Sequence, residues 1–277
     1  MQTAVAPESP PPRRREALRE ALREAHPDLD ALLVTDLVNV RYLSGFTGSN
    51  GAVLVGADGT DLISTDGRYT VQVAEQAGDL PLVGARDVAG ALVAAAVDAG
   101  ARRIGVEADA MSVGQYDGLR ADGAATLSPT SGMVESLRQV KDPGEVTAIA
   151  AACEVADRAL AQLVTDGVIA PGRTEREVAR ALEWAMYSHG AAAIAFETIV
   201  ATGANSAVPH HRPTDAILAR GDFVKIDFGA VVDGYHSDMT RTYVLGTAQP
   251  WQREVYDLVA AAAQAGRAGA VAGASGA

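Results

Sequence analysis

The chain has a single cysteine, Cys153, in 277 residues. An internal disulfide is therefore excluded, and the expected role of this residue is a small buried hydrophobe in a predicted helix. No apolar run approaches the roughly 18 residues needed to cross a bilayer. No apolar core follows Arg13-Arg14-Arg15, so the N-terminus does not read as a secretory leader. Positive charge is also short. Lys and Arg number 23 against 35 Asp and Glu, a net charge of −12, which argues against nucleic-acid or anionic-membrane partners. Familiar catalytic signatures are missing too: there is no HExxH zinc helix and no GxSxG elbow. The glycines between Gly45 and Gly51 precede a strand rather than a helix and do not fit a dinucleotide fingerprint. Asp227-Phe228-Gly229 lacks the catalytic loop and glycine loop of a kinase. A soluble cytoplasmic protein is the expectation.

What is present is length enough for two domains. Residues 1–14 read as a disordered N-terminus, Pro- and Ala-rich at its start. The stretch up to residue 26, with Glu and Arg alternating over Leu18 and Leu22, reads as a solvated surface helix. Residues 15–135 alternate strand and helix signals, including a hairpin around Asp58-Gly59 and a strand over Arg103 to Glu107. Such alternation predicts an α/β domain with a mixed or parallel sheet. Residues 136–277 begin with helices. Asp142-Pro143-Gly144-Glu145 starts one, with Ile149, Cys153, Ala156 and Leu160 as its apolar stripe. Thr174 and Glu177 form a capping box for the next, and Gly190 is its C-cap candidate. A strand-like stretch from Ile194 to Ala201, a loop from Thr202 to Pro213 and a hairpin follow, then a helix from Trp251 to about Gln264. The last residues, Ala265 to Ala277, are Ala- and Gly-rich and read as cut rather than finished.

The hairpin carries the chemistry. Phe223-Val224-Lys225-Ile226 leads in, Asp233-Gly234 is a two-residue turn signal, and Tyr235 to Val244 leads out. A turn at 233–234 sets Asp227 opposite Thr240, with Asp238 two residues away. Both carboxylates then share one face as diagonal neighbours, roughly 7–8 Å apart or less. A slip of the turn to 232–233 sets them directly opposite. A three-residue loop would split them between faces. Like charges held this close are destabilising, and a bound cation is the simplest reason to keep them. His210 and His211, in the Pro-containing loop before the incoming strand, read either as surface histidines or as imidazoles reaching the same face. There an imidazole can donate to a developing oxyanion or ligate a metal.

Three segments together resemble the pita-bread metallopeptidases, specifically the Xaa-Pro peptidases (aminopeptidase P and prolidase). They are Thr198 to Ala207 with His210, Gly221 to Gly229, and Gly234 to Thr242. Asn39 to Gly51, Thr65 to Tyr69 and the linker Leu137 to Glu145 are similar to that family's creatinase-like N-terminal part. The resemblance covers nearly all of residues 15–277. It implies a creatinase-like α/β N-terminal domain, a mixed sheet with flanking helices, followed by an α+β pita-bread catalytic domain incomplete at its C-terminal end. It implies metal-dependent hydrolysis of Xaa-Pro bonds at peptide N-termini by a metal-activated hydroxide, with two divalent ions, Mn²⁺ foremost. Asp227 and Asp238 correspond to two of the metal ligands, and His210 to the histidine that contacts substrate. The family's further His and two Glu ligands, one of those Glu a proton shuttle, fall beyond residue 277, so impaired activity is expected of this chain. Peptides with proline at the second position are the implied substrates, and a homo-oligomer the implied state of the full-length form. The alternative is a non-catalytic pita-bread binding module or pseudoenzyme.

Overall fold

A computed structural model describes residues 10–121 and 123–276. The chain divides after Val140 into two compact units. In the first, α1 (Pro10–Ala25) precedes β1 (Ala31–Val34), α2 (Leu37–Ser44), β2 (Gly51–Gly56), β3 (Asp61–Thr65) and α3 (Thr70–Gln76). Then come β4 (Leu82–Gly84), α4 (Val88–Asp98), β5 (Arg103–Glu107), α5 (Val113–Ala121), β6 (Thr126–Thr130) and α6 (Met133–Arg138).

The six strands form one mixed sheet in the order β4-β3-β2-β1-β5-β6. The β2–β3 hairpin is antiparallel, and β1, β5 and β6 run parallel. Every residue of β1 and β2 is buried, as expected of strands covered on both faces. One face packs Leu32, Val34 and Val53 against Leu18, Leu22 and Leu43, and the other packs Leu33, Leu54 and Ile104 against Leu92 and Ala96.

Three sequence expectations change in this unit. Positions 1–9 of the expected disordered N-terminus lie outside the described residues, but Pro10 to Arg14 form the start of α1. Glu16, Glu20, Arg23 and Glu24 form its solvated face, but two of its arginines do not belong to that face. Arg15 and Arg19 are only 5% and 6% exposed. Arg19 reaches both carboxylate oxygens of Asp61 at 2.8 and 2.9 Å, and Arg15 reaches Asp61 at 3.0 Å and also pairs with Asp79. The arginines bury their stems and clamp α1 onto the β2–β3 hairpin. The division also falls after 140 rather than 135, because α6 packs with α1 through Val134 in the same apolar cluster as Leu18 and Leu22.

In the second unit, α7 (Pro143–Thr165) starts at the capping box of Asp142 and Glu145, with Pro143 in its first turn. Its buried stripe is Ala152, Val155, Ala156, Ala159, Leu160 and Leu163. Cys153 is exposed, which corrects the expectation of burial. The stripe begins one residue earlier, and one residue is about 100° around a helix of 3.6 residues per turn. The next helix, α8 (Glu175–Ser188), has the expected capping box of Thr174 and Glu177. The expected strand over 194–201 is two pieces, β7 (Ala193–Ile194) and β8 (Ile199–Thr202), which pair with different partners.

There follow β9 (Phe223–Phe228), β10 (Ala230–Val232), β11 (Tyr235–His236), β12 (Met239–Val244) and α9 (Pro250–Gly269). They make two three-stranded sheets, β12-β9-β8 and β11-β10-β7. Burial alternates along β9. Val224, Ile226 and Phe228 are fully buried in a cluster with Leu160, Leu182 and Met186. Phe223, Lys225 and Asp227 therefore lie on the opposite face. Within α9 only Gln252 is buried.

Candidate functional site

The carboxylate hairpin takes the first of the three expected registers. Val232 pairs with Tyr235 and Val231 with His236, leaving Asp233-Gly234 as the turn. Both turn residues have positive φ, 50° and 77°, the backbone of a type I′ turn matched to the twist of its strands. Farther out, Asp227 pairs with Thr240 and Phe228 with Met239. Asp238 falls opposite Gly229, and alternation from Thr240 points it to the Asp227 face.

The ladder is interrupted at this point. Ala230 N–H donates to the Ser237 hydroxyl at 2.9 Å, and Ser237 N–H donates to the Ala230 carbonyl at 2.9 Å. A Cβ added to Gly229 would lie 1.9 Å from the Ser237 carbonyl oxygen. Only glycine lets the two backbones approach so closely beside Asp238.

Asp238 is exposed, whereas Asp227 is half-buried. The Asp227 Oδ1 atom is itself buried and, among the described residues, has no hydrogen-bond partner. Such an oxygen costs about 1–3 kcal/mol unless something satisfies it. A hard divalent cation fits an all-oxygen donor pair of this kind. Among the described residues no group of three or more His, Cys, Asp or Glu comes together around a metal position.

The histidine loop sits on two supports. The first is Glu175, completely buried at the start of α8. One carboxylate oxygen accepts from Thr202 N–H at 2.8 Å and the Asn205 amide at 3.0 Å. The other oxygen bonds the His211 ring at 2.8 Å and accepts from Thr214 N–H at 2.9 Å and its hydroxyl at 2.7 Å. Burial pushes this carboxyl up, but the bonds from His211, Asn205, Thr202 and Thr214 outweigh it and bring its pKa down to about 2. The N-terminus of α8 favours the same anionic form. The second support is Lys225, whose ammonium donates to the carbonyls of Val208 at 2.5 Å and Pro209 at 3.2 Å. Lys225 precedes Asp227 by two residues on β9 and shares its face.

The two histidines therefore separate. His211 turns inward to Glu175, while His210 is exposed and directly follows the residues gripped from the Asp227 face. Sequence reading had singled out neither Glu175 nor Lys225. The signal for Glu175 was an acidic residue directly after the N-cap Thr174, and the signal for Lys225 was a lysine inside an apolar strand.

The fold defines a class: a mixed-sheet α/β domain followed by an α+β domain whose hairpin carries two aspartates. The model of metallopeptidase family M24 matches residues 147–277, and that of the creatinase/prolidase N-terminal domain matches residues 14–140. The chain belongs to this metallopeptidase family, with a creatinase-like domain followed by pita-bread residues. Among curated relatives, it is 36% identical over 236 residues to the uncharacterized peptidase YqhT of Bacillus subtilis, covering 83% of this chain and 65% of that one. It is 31% identical over 233 residues to a Xaa-Pro dipeptidase of Pyrococcus horikoshii, covering 83% and 64%. A solved Xaa-Pro dipeptidase from Bacillus anthracis superposes with a TM-score of 0.85 at 34% identity, over 90% of this chain and 69% of that one. An X-Pro aminopeptidase from Thermotoga maritima gives 0.78 at 33%, over 90% and 70%. The chain thus spans just under two thirds of the length of the two curated relatives.

Proposed function

We propose that the protein is a Xaa-Pro peptidase that hydrolyses the bond before a proline at the second position of a peptide. The observation that carries this reading is the buried, unpartnered Oδ1 of Asp227 on the hairpin that also carries Asp238. Family membership and the Xaa-Pro peptidases among its relatives support the substrate class.

In this reading Asp227 and Asp238 hold divalent cations, two in the complete site, with Mn²⁺ preferred among the hard ions. When bound, such ions supply water acidified enough to act at neutral pH and polarise the scissile carbonyl. The chain's own residues do the rest. Asp227 and Asp238 fix the cations to the hairpin, whose rigid turn sets their spacing. His210, exposed and next to the residues that Lys225 holds, would donate a hydrogen bond to the substrate carbonyl oxygen as negative charge develops there.

Two carboxylates provide at most four oxygens, while two six-coordinate ions need about ten donor positions. Asp227 and Asp238 by themselves should therefore bind metal weakly and support only slow turnover. The same partial donor set favours a second reading, a peptide-binding module without catalysis. Hydrolysis of Xaa-Pro peptides with added Mn²⁺ separates the two. Slow turnover abolished by Asp227→Asn supports the peptidase. Peptide binding with no turnover at any Mn²⁺ concentration supports the module. We place the protein in the cytoplasm, where its exposed free thiol at Cys153 suits a reducing compartment, and expect a homo-oligomer.

A further inference from the structure

We propose that Lys225 is a positioning residue that holds His210 over the carboxylate face. The inference rests on the reading that His210 meets the substrate, and it adds how that side chain is kept in place.

Lys225 occupies an unusual position. It lies in the middle strand of the β12-β9-β8 sheet, paired with Ala201 on one side and Thr242 on the other. Lysine is depleted from strands because its stem packs poorly against cross-strand neighbours. A neutralising role for its charge would place the ammonium on Asp227, the acidic residue of the same strand and face. Among the described residues Lys225 forms no ion pair, and Asp227 Oδ1 keeps no hydrogen-bond partner. The ammonium instead reaches the carbonyls of Val208 and Pro209. Lysine offers three donors on a flexible stem and no planar fork, which suits gripping two successive carbonyls.

Those two residues need such a grip. Val208, Pro209 and His210 are all exposed, and Pro209 has no N–H to offer. The flanks of the loop are tied elsewhere: Glu175 takes Thr202 and Asn205 before it, and His211 and Thr214 after it. Between these anchors, Lys225 supplies the side-chain contact to the segment that leads into His210. An anionic clamp collects the loop's donors and a cationic clamp collects its acceptors, so His210 is bracketed by Pro209 on one side and His211 on the other.

The test compares the wild-type chain with Lys225→Met, Lys225→Gln and Lys225→Arg, using Mn²⁺ alone as the probe. Mn²⁺ broadens NMR signals of nearby protons, and His236, two residues from Asp238, reports occupancy of the hairpin independently of the loop. The expected result is broadening of both His236 and His210 in the wild type. In Lys225→Met, His236 stays broadened and His210 sharpens, while Lys225→Arg, which keeps the donors, restores the wild-type pattern. Amide hydrogen exchange over residues 203–214 should accelerate about tenfold in Lys225→Met with the strands of the hairpin unchanged. Equal broadening of His210 in wild type and Lys225→Met overturns the proposal. If Mn²⁺ broadens neither histidine in the wild type, the cation reading of the hairpin fails. Exchange then decides the positioning role alone: acceleration in 203–214 upholds it and an unchanged segment overturns it. Should Lys225→Met not fold, Lys225→Gln, which is one atom shorter and uncharged, is read by the same criteria.

Discussion

Glu175, fully buried, and Asp227, half-buried, are two carboxylates of the same unit with opposite surroundings. Five hydrogen bonds converge on Glu175 from four residues of one loop region. Asp227 has an oxygen that is equally shielded from water and bonded to nothing among the described residues. A buried carboxylate that is fully satisfied braces structure. One left open carries the cost of an unsatisfied oxygen.

The comparison can be broken most forcefully at Glu175. Glu175→Ala strands three backbone and amide donors and should destabilise the protein by about 3–5 kcal/mol, measured by urea unfolding. A loss below about 1 kcal/mol would contradict its role as a brace. The pH dependence is nearly as large. The folded value of about 2 lies below the ordinary Glu value, about 4.3. The stabilisation is therefore complete above about pH 5 and fades as pH falls toward 2, on the order of 3 kcal/mol in all. The stability gap between wild type and Glu175→Gln should shrink over that interval. A gap independent of pH would show that the carboxylate is not held anionic.

Gly229→Ala sharpens the other side. Its Cβ meets the Ser237 carbonyl, so the hairpin must open beside Asp238, at about 1–3 kcal/mol. Asp227→Asn should behave in the opposite way to any Glu175 variant. Without metal its stability should match or slightly exceed wild type, because one of two like charges is gone. With Mn²⁺ at ten times its dissociation constant, wild type should gain about 1.4 kcal/mol and the variant almost nothing, read by thermal melting. The smallest effect concerns α9, whose Trp251, Tyr256, Leu258 and Val259 are each more than half exposed. Leu258→Lys should reduce self-association in sedimentation without lowering Tm.

The contrast also marks what the sequence could reveal. The hairpin was legible because its determinants are adjacent: Asp233-Gly234 fixes the turn, and a period of two then places Asp227 and Asp238. Helix caps at Thr174 and Asp142 were legible for the same reason. Glu175 was not, because its partners lie 27 to 39 residues away and no local pattern announces them. Arg15 and Arg19 read as solvated because Asp61 is more than 40 residues distant. Cys153 was misplaced because an Ala-rich helix offers two apolar stripes one residue apart, and only packing chooses between them.

The type I′ turn has a kinetic consequence. Hairpins close in about 1–10 μs, whereas ties such as Glu175 to Thr214 must first bring together residues 39 apart along the chain. The two aspartates therefore confront each other early in folding, before the histidine loop is anchored and with only solvent ions to screen them. Screening acts over about 10 Å at 0.1 M salt, so moderate salt or a trace of divalent cation should speed the first step of folding in this unit. On this order the hairpin that carries both aspartates forms before the loop that carries His210 is anchored.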